Sequence, residues 1–379
     1  MDKQEKIKIL QDVIQLETPN GNEEIVALYY KNLLEAHGIE SELIQYADGR
    51  ANLVAELKEG DQAGKILAVS GHMDVVDAGN PDLWTYPPYG AEIHDGVMYG
   101  RGTTDMKAGL TALIIAMIEL KESGQDFSGT VRLLACVGEE IGMLGSKQLT
   151  DLGYTEDIDG MIIAEPSTPY YNTKHKGSIQ YQVIAHGRAA HSSTPEKGVN
   201  TIQLINDFIN KTNVKIDEAA ATAENDMLGK MLNVFTMIEG GNQINSVPEY
   251  TVLSGNARTI PEVGNDVVVG IFNDVIEDIN ANGQGMLELN LLQNNQYADG
   301  DNDSALVDLI KVEDPQAENR GLSGATDGSN FTNVDNKFDF VIYGPGKIDD
   351  AHTLDESVEV DQYLDFIDKY VNIYKGYLK

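Results

Sequence analysis

Two histidines and a set of carboxylates stand where a metal site could be built. They fall in short polar segments, each after an apolar run: Ser70-Gly71-His72-Met73-Asp74, Gly138-Glu139-Glu140, Glu165-Pro166 and Ala351-His352-Thr353-Leu354-Asp355-Glu356. A fifth segment, Tyr99-Gly100-Arg101-Gly102-Thr103-Thr104-Asp105, leads into a long apolar stretch. Its glycines let the backbone bend sharply and bring Asp105 to the same edge. Imidazole mixed with carboxylate suits zinc, cobalt or manganese better than calcium, which prefers oxygen alone. One ion would not need this many acids. Two ions sharing a bridging carboxylate would, and such pairs sit roughly 3.5–4 Å apart. Each piece has a plainer reading as well: a hydrogen-bonded structural histidine, or acids favoured at a helix start. Their shared placement is what points to a metal.

The surrounding elements explain that placement. Residues 2–16 and 23–37 carry helical periodicity, and 42–46, 52–57 and 65–69 are short apolar runs that read as strands. Residues 106–121 read as a buried helix, and 131–137 and 160–164 as buried strands. Strands alternating with helices imply a mostly parallel sheet covered on both faces. Open sheets of this kind bind ligands beyond the carboxyl ends of their strands, where the polar segments lie. The texture changes near Gly177: strand 179–185, helix 201–211, strands 234–238 and 250–258, helix 266–280, strand 286–292. That is the split pattern of a ferredoxin-like sandwich. Helix–strand alternation resumes from residue 304, through a strand at 338–342 to a closing helix at 361–377. The expected architecture is α/β, a mostly parallel sheet with helices on both faces. It takes in residues 1–177 and 294–379, interrupted by a smaller α+β ferredoxin-like domain at 178–293.

Composition sets outer bounds. A length of 379 residues suggests two domains. With 41% hydrophobic and 23% charged residues, the chain is neither disordered nor fibrous. Its 27 basic and 61 acidic residues leave a net charge of −34, which repels phosphate backbones, so no nucleic-acid partner is expected. The single cysteine, Cys136, excludes an internal disulfide and suits a reducing cytoplasm. The strongly apolar stretch 108–118 falls short of the roughly 20 residues that span a bilayer, so no membrane partner is expected. There is no H-E-x-x-H helix and no G-x-S-x-G elbow, and Gly100-Arg101-Gly102 lacks the third glycine of a dinucleotide fingerprint.

The segments also carry a resemblance. Gly71-His72-Met73-Asp74-Val75-Val76, Gly100-Arg101-Gly102-Thr103-Thr104-Asp105-Met106-Lys107, Gly138-Glu139-Glu140, Ala164-Glu165-Pro166 and Ala351-His352 occur in that order along nearly the whole chain. They resemble the co-catalytic zinc family that contains succinyl-diaminopimelate desuccinylase, acetylornithine deacetylase, aminoacylase and glutamate carboxypeptidase. The resemblance implies roles residue by residue. His72 and Glu165 would hold one divalent ion, Glu140 and His352 the other, and Asp105 would bridge them. Asp74 would orient the His72 ring, and Glu139 would be the general base. Zinc is the expected metal, with cobalt or manganese as alternatives.

The inserted domain adds further candidates by the same resemblance. His191, in Gly187-Arg188-Ala189-Ala190-His191-Ser192-Ser193, matches a histidine that stabilises the oxyanion, often from a partner subunit. Asn245 and Arg258 match substrate-binding positions, and an arginine fork suits a carboxylate. Ser323-Gly324-Ala325-Thr326-Asp327-Gly328 resembles a glycine-rich substrate loop, with Gly324 and Thr326 as its contacts. The expected substrate is a small N-acyl amino acid and the expected assembly a homodimer through the inserted domain. Glutamate at position 165 points to deacylases and carboxypeptidases. The first expectation is hydrolysis of N-succinyl-L,L-diaminopimelate. Lys174-His175-Lys176-Gly177-Ser178 stands where typical desuccinylases are arginine-rich, and Gly344-Pro345-Gly346 before Ala351-His352 is closer to acetylornithine deacetylases. An acetylornithine deacetylase or a broader acyl-amino-acid hydrolase is therefore the alternative. A non-catalytic binding relative is the reading from another class, and the retained Glu139 argues against it.

Overall fold

The computed structural model describes residues 1–60, 64–124, 127–281, 283 and 285–379. In chain order the first elements are α1 (Lys3–Ile14), α2 (Glu24–Ala36), β1 (Ser41–Ala47), β2 (Arg50–Glu59), β3 (Ile66–His72), β4 (Glu92–His94) and β5 (Val97–Tyr99). Next come α3 (Lys107–Glu122), β6 (Gly129–Cys136), α4 (Leu144–Asp151), β7 (Gly160–Ile163) and β8 (Tyr170–His175). The middle of the chain holds β9 (Gly177–His186), β10 (Ala190–His191), α5 (Thr201–Ala221), β11 (Leu232–Gly240), β12 (Ser246–Val247), β13 (Tyr250–Thr259), α6 (Asn265–Asn280) and β14 (Met286–Asn295). The last part holds β15 (Ala298–Asp299), α7 (Ala305–Glu313), β16 (Glu318–Leu322), α8 (Gly328–Phe331), β17 (Asp339–Ile342), β18 (Ser357–Glu359) and α9 (Val360–Tyr377).

Two compact units emerge. One comprises Met1–Thr173, Asp299–Arg320 and Thr326–Lys379, the other Lys174–Ala298 and Gly321–Ala325. Among the described residues the first unit is built on a nine-stranded sheet ordered β1-β2-β6-β3-β7-β17-β8, with β15 and β16 beside β8. Its four central strands, β6, β3, β7 and β17, run parallel. Helix α3 packs on β3, α1 and α9. It is apolar on all sides because nearly every residue is covered. Gly109 lets it come close: a Cβ there would stand 2.0 Å from the carbonyl oxygen of Ala164, the residue before Glu165.

The second unit is a four-stranded antiparallel sheet ordered β11-β13-β9-β14. Helices α5 and α6 pack on it, in the expected split arrangement. Its core gathers Ile179, Tyr181, Val183, Phe208, Leu253 and Phe272. The helix expected at 201–211 continues to Ala221, since Thr212 and Ile216 extend the buried face of Ile205 and Phe208. The strand expected at 234–238 runs from Leu232 to Gly240 and leaves most of its side chains exposed. A small separate ladder pairs β10 with β12.

Candidate active site

Parallel register sets the first positions. Within β3, His72 lies opposite Cys136 of β6, and Ser70 opposite Ile163 of β7. The three strands therefore finish side by side, and His72, Glu139-Glu140 and Glu165 follow from their carboxyl ends. The His72 ring is buried. Its Nδ1 meets the Asp74 main-chain oxygen at 2.9 Å. That turns Nε2 toward Asp105 Oδ1 at 3.0 Å and Glu165 Oε1 at 3.7 Å. The other Asp105 oxygen, Oδ2, faces His352 Nε2 at 3.2 Å, and Glu140 Oε1 faces the same nitrogen at 2.9 Å. Ligand atoms of His72, Asp105 and Glu140 all lie within 4.8 Å of one another. His352 sits in the left-handed region at φ 61°, half exposed, at the open side of the cluster.

The Asp74 carboxylate has further partners besides the His72 ring. Its Oδ1 is 3.7 Å from His72 Nδ1. Oδ1 accepts from the backbone N–H of Glu139 at 3.1 Å, and Oδ2 from that of Glu140 at 3.2 Å. Glu23 accepts from Gly138 N–H at 3.0 Å, and Asn52 from Val137 N–H at 2.9 Å. Arg50 holds Glu23 in turn, with Nε at 2.8 Å. Four successive amides of the turn after β6 thus end on buried side-chain oxygens. Gly138 is required there: its φ is 64°, and a Cβ would meet Arg50 Nη2 at 2.8 Å.

The electrostatics are those of a cation site. Burial opposes charge on His72, but Glu165 and Asp105 outweigh it and raise its pKa well above the ordinary value. Hydrogen bonds to Asp105 and Glu140 raise His352 to about 10. Burial works to raise Asp105, yet the two histidines hold it below the usual carboxylate range. Glu139 and Glu165 are pushed well above that range, by burial first; Glu165 adds to the rise at Glu139, and Asp105 to the rise at Glu165. Burial takes Asp74 up to about 6. Histidines are the only cationic partners of Asp105, Glu140 and Glu165 among the described residues. The nearby Lys107 turns its ammonium to the carbonyls of Val13 and Leu16, at 3.1 and 2.7 Å. Surroundings that favour a proton on each imidazole favour a divalent cation as well. The donor set of two imidazoles and three carboxylates fits such an ion.

The remaining candidates divide between the units. Thr326 is buried in the first, its Oγ1 accepting from Gly328 N–H at 3.1 Å; Gly324 belongs to the second. In the second unit His191 is exposed on β10. Its Nδ1 meets Ser193 Oγ at 2.8 Å and the Ser193 N–H at 3.1 Å. Ser192 N–H donates to the Asn245 carbonyl at 3.0 Å, so the β10–β12 ladder brings His191 and Asn245 together. Arg258 is half-buried on β13, and burial lowers its pKa. Lys176 lies close enough that burial and the Arg258 charge together lower its own pKa. No carboxylate pairs with either cation among the described residues, and Lys176 Nζ donates only to the Lys230 carbonyl, at 2.7 Å. Sequence reading assigned no role to Lys176, Glu23, Arg50, Asn52 or Glu356. A lysine two residues before Ser178, in a chain with so few cations, was the available signal for Lys176.

Two imidazoles bridged by a carboxylate, with further acids from the carboxyl ends of parallel strands beside them, suit a metal-dependent hydrolase. Residues 68–379 match Peptidase family M20/M25/M40, and the chain belongs to that family. It is 42% identical to a probable succinyl-diaminopimelate desuccinylase of Staphylococcus aureus, covering 99% of this chain and 98% of that one. A Staphylococcus epidermidis protein of the same name is 38% identical, covering 100% and 99%. Among solved structures, the aminopeptidase PepT of Bacillus cereus superposes with a TM-score of 0.78 at 19% identity, covering 100% of both chains. A Bacillus subtilis protein described as a dinuclear metal binding peptidase of the same family superposes at 0.71 and 14% identity, covering 99% of this chain and 98% of that one. These likenesses define the fold: a largely parallel α/β sheet with its accompanying smaller unit.

Proposed function

We propose that the chain hydrolyses N-succinyl-L,L-diaminopimelate to succinate and L,L-diaminopimelate. The observation that carries this is the full-length identity with proteins named for that reaction. The unpaired Lys176–Arg258 cations support it, because they suit an anionic end of the substrate. His72 and Glu165 would hold one divalent metal ion and Glu140 and His352 a second, with Asp105 between them. Zinc is the ion this nitrogen-and-oxygen set favours, with cobalt or manganese able to replace it. Bound there, the metals supply Lewis acidity to the amide carbonyl and its attacking water. Glu139 takes the proton of that water as its oxygen bonds to the carbonyl carbon. It returns the proton to the nitrogen as the C–N bond breaks. Asp74, Glu23 and Asn52 keep Glu139 oriented by holding its backbone turn. His191 donates to the developing oxyanion, and Asn245, Gly324 and Thr326 line the substrate.

The chain acts as a homodimer through the second unit. Leu232, Val234, Met237 and Ile238 of the edge strand β11 are 53–59% exposed, an apolar strip suited to burial against a second copy. The cytoplasm is the compartment proposed, given the single buried Cys136; among the described residues no helix is long and apolar enough to cross a membrane.

The test compares N-succinyl-L,L-diaminopimelate with N-acetylornithine on zinc-loaded protein. A preference for the succinyl compound of a hundredfold or more in kcat/KM is expected, about 2.7 kcal/mol in the transition state. The reverse preference would make the protein an acetylornithine deacetylase, a reading the lysines at 174 and 176 leave room for.

A further inference from the structure

Glu356 is four residues beyond His352 and is almost completely buried, at 1% exposure. Its Oε1 accepts three backbone N–H groups of the loop that ends in Asp105: Gly102 at 3.0 Å, Thr104 at 2.8 Å and Asp105 itself at 2.9 Å. Its Oε2 is engaged by Arg101 Nη1. The Arg101 guanidinium lies 5.2 Å over the Trp84 ring, which limits its freedom. Two further bonds join the same pieces of chain: Gly100 N–H to the Glu356 carbonyl at 2.8 Å, and Thr104 Oγ1 to the Ser357 carbonyl at 2.5 Å. The segment carrying His352 and the loop carrying Asp105 are therefore locked to each other through one carboxylate. Among the described residues nothing comparable ties that carboxylate to His72 or Glu165, which stand at the ends of β3 and β7.

We infer that Glu356 is a positioning residue for one half of the metal centre, setting where the Asp105 carboxylate stands relative to His352. The inference rests on the reading of these residues as metal ligands. A carboxylate is needed because every group facing it is a donor. An amide in its place presents an NH2 either to the three N–H groups or to Arg101, and one side of the lock opens. The loop then relaxes, and Asp105 no longer meets the ion shared with Glu140 and His352 at the right place. The ion held by His72 and Glu165 loses part of the same Asp105 contact, but its other two ligands stand on strand ends that Glu356 does not hold, so it is weakened less. Loss of a group that orients a metal ligand typically costs 10–100-fold in affinity.

The experiment is a zinc titration of the metal-stripped full chain against a chromophoric chelator, with a cobalt absorption spectrum on the same samples. Wild type, Glu356→Gln, Glu356→Asp and Asp105→Asn are compared, and thermal melts of the stripped proteins confirm folding. The expected result is two tight equivalents for wild type. One equivalent is weakened 10–100-fold in Glu356→Gln with an altered cobalt band, and less in Glu356→Asp, which keeps the charge but shortens the reach. Wild-type affinity for both ions in a folded Glu356→Gln protein overturns the inference. Should that variant fail to fold, unchanged affinity and spectrum in Glu356→Asp overturn it. Asp105→Asn tells the two readings apart: if it too binds both ions normally, the ligand assignment has failed rather than the role of Glu356.

Discussion

Asp105 aims its two carboxylate oxygens at two different imidazoles, and Glu139 stands one residue before Glu140 on a turn pinned by Asp74 and Glu23. Adjacent residues on so tight a turn cannot present their side chains the same way, so one acid reaches His352 while the other stays available for a proton. Glu139→Gln preserves shape and removes the proposed base. A fall in kcat of about 10²–10⁴-fold is expected, with metal content measured by atomic absorption close to wild type. Loss of metal together with activity would make Glu139 a ligand. At this scale the sequence was informative about residue types and largely silent about partners. His72, Asp105, Glu140, Glu165 and His352 were legible as candidates because imidazoles and acids recur beside apolar runs and match a family's segments. That the Asp74 main chain, and not only its carboxylate, meets the His72 ring could not be read, because both belong to one residue and only backbone direction separates them.

Elements place these residues through register. Strands β6, β3 and β7 are neighbours in parallel, so three segments scattered along the chain finish on one edge. The apolar runs and their alternation with helices made this legible; the extent of α5 was not, because beyond Thr212 only Ile216 continues its buried apolar face. Away from the site, Arg132 on β6 lies across from Glu56 on β2 and also holds Asp157, with Nε and Nη1 at 2.7 and 2.5 Å. Burial works to raise the Glu56 pKa, but Lys58 and Arg132 lower it overall, and Arg132 lowers Asp157. A carboxylate whose pKa is depressed by folding stabilises the fold above its unfolded pKa, and the contribution disappears as pH falls through the depressed value. Stability should therefore drop below about pH 4, where these acids ordinarily titrate. Arg132→Gln should be less stable at pH 7, by about 1 kcal/mol since Asp157 is half open to solvent. Its denaturation midpoint should then fall less steeply from pH 5 to pH 3 than that of wild type. Parallel urea melts would show the difference, and equal slopes would dismiss the network as a source of stability.

For the whole molecule, the net charge of −34 disfavours anionic partners, and the neighbouring cations Lys176 and Arg258 are a local exception to that excess of acid. The proposed homodimer belongs to this scale. Light scattering should return about twice the 41.4 kDa of one chain. His191 is proposed to serve the site of a second copy. Mixing inactive His191→Ala with inactive Glu139→Gln should then restore activity, because one site of the mixed dimer carries both native residues. A mixed dimer that stays inactive would place His191 in its own chain's site.

What the sequence determined by itself was the chemistry and the class of fold. Residue type, apolar periodicity and short motifs are local, and they survive in a string of letters: the candidate imidazoles and acids, the α/β alternation and the inserted split sheet were all legible there. What only the tertiary structure decided was pairing across distance. Glu23 with Gly138, and Glu356 with the amides of the loop ending in Asp105, are separated by more than a hundred residues. A lone acid or lysine between ordinary neighbours gives no local sign of what it will meet. Its role exists only once the chain has closed and burial has made each unpaired charge too costly to leave without a partner.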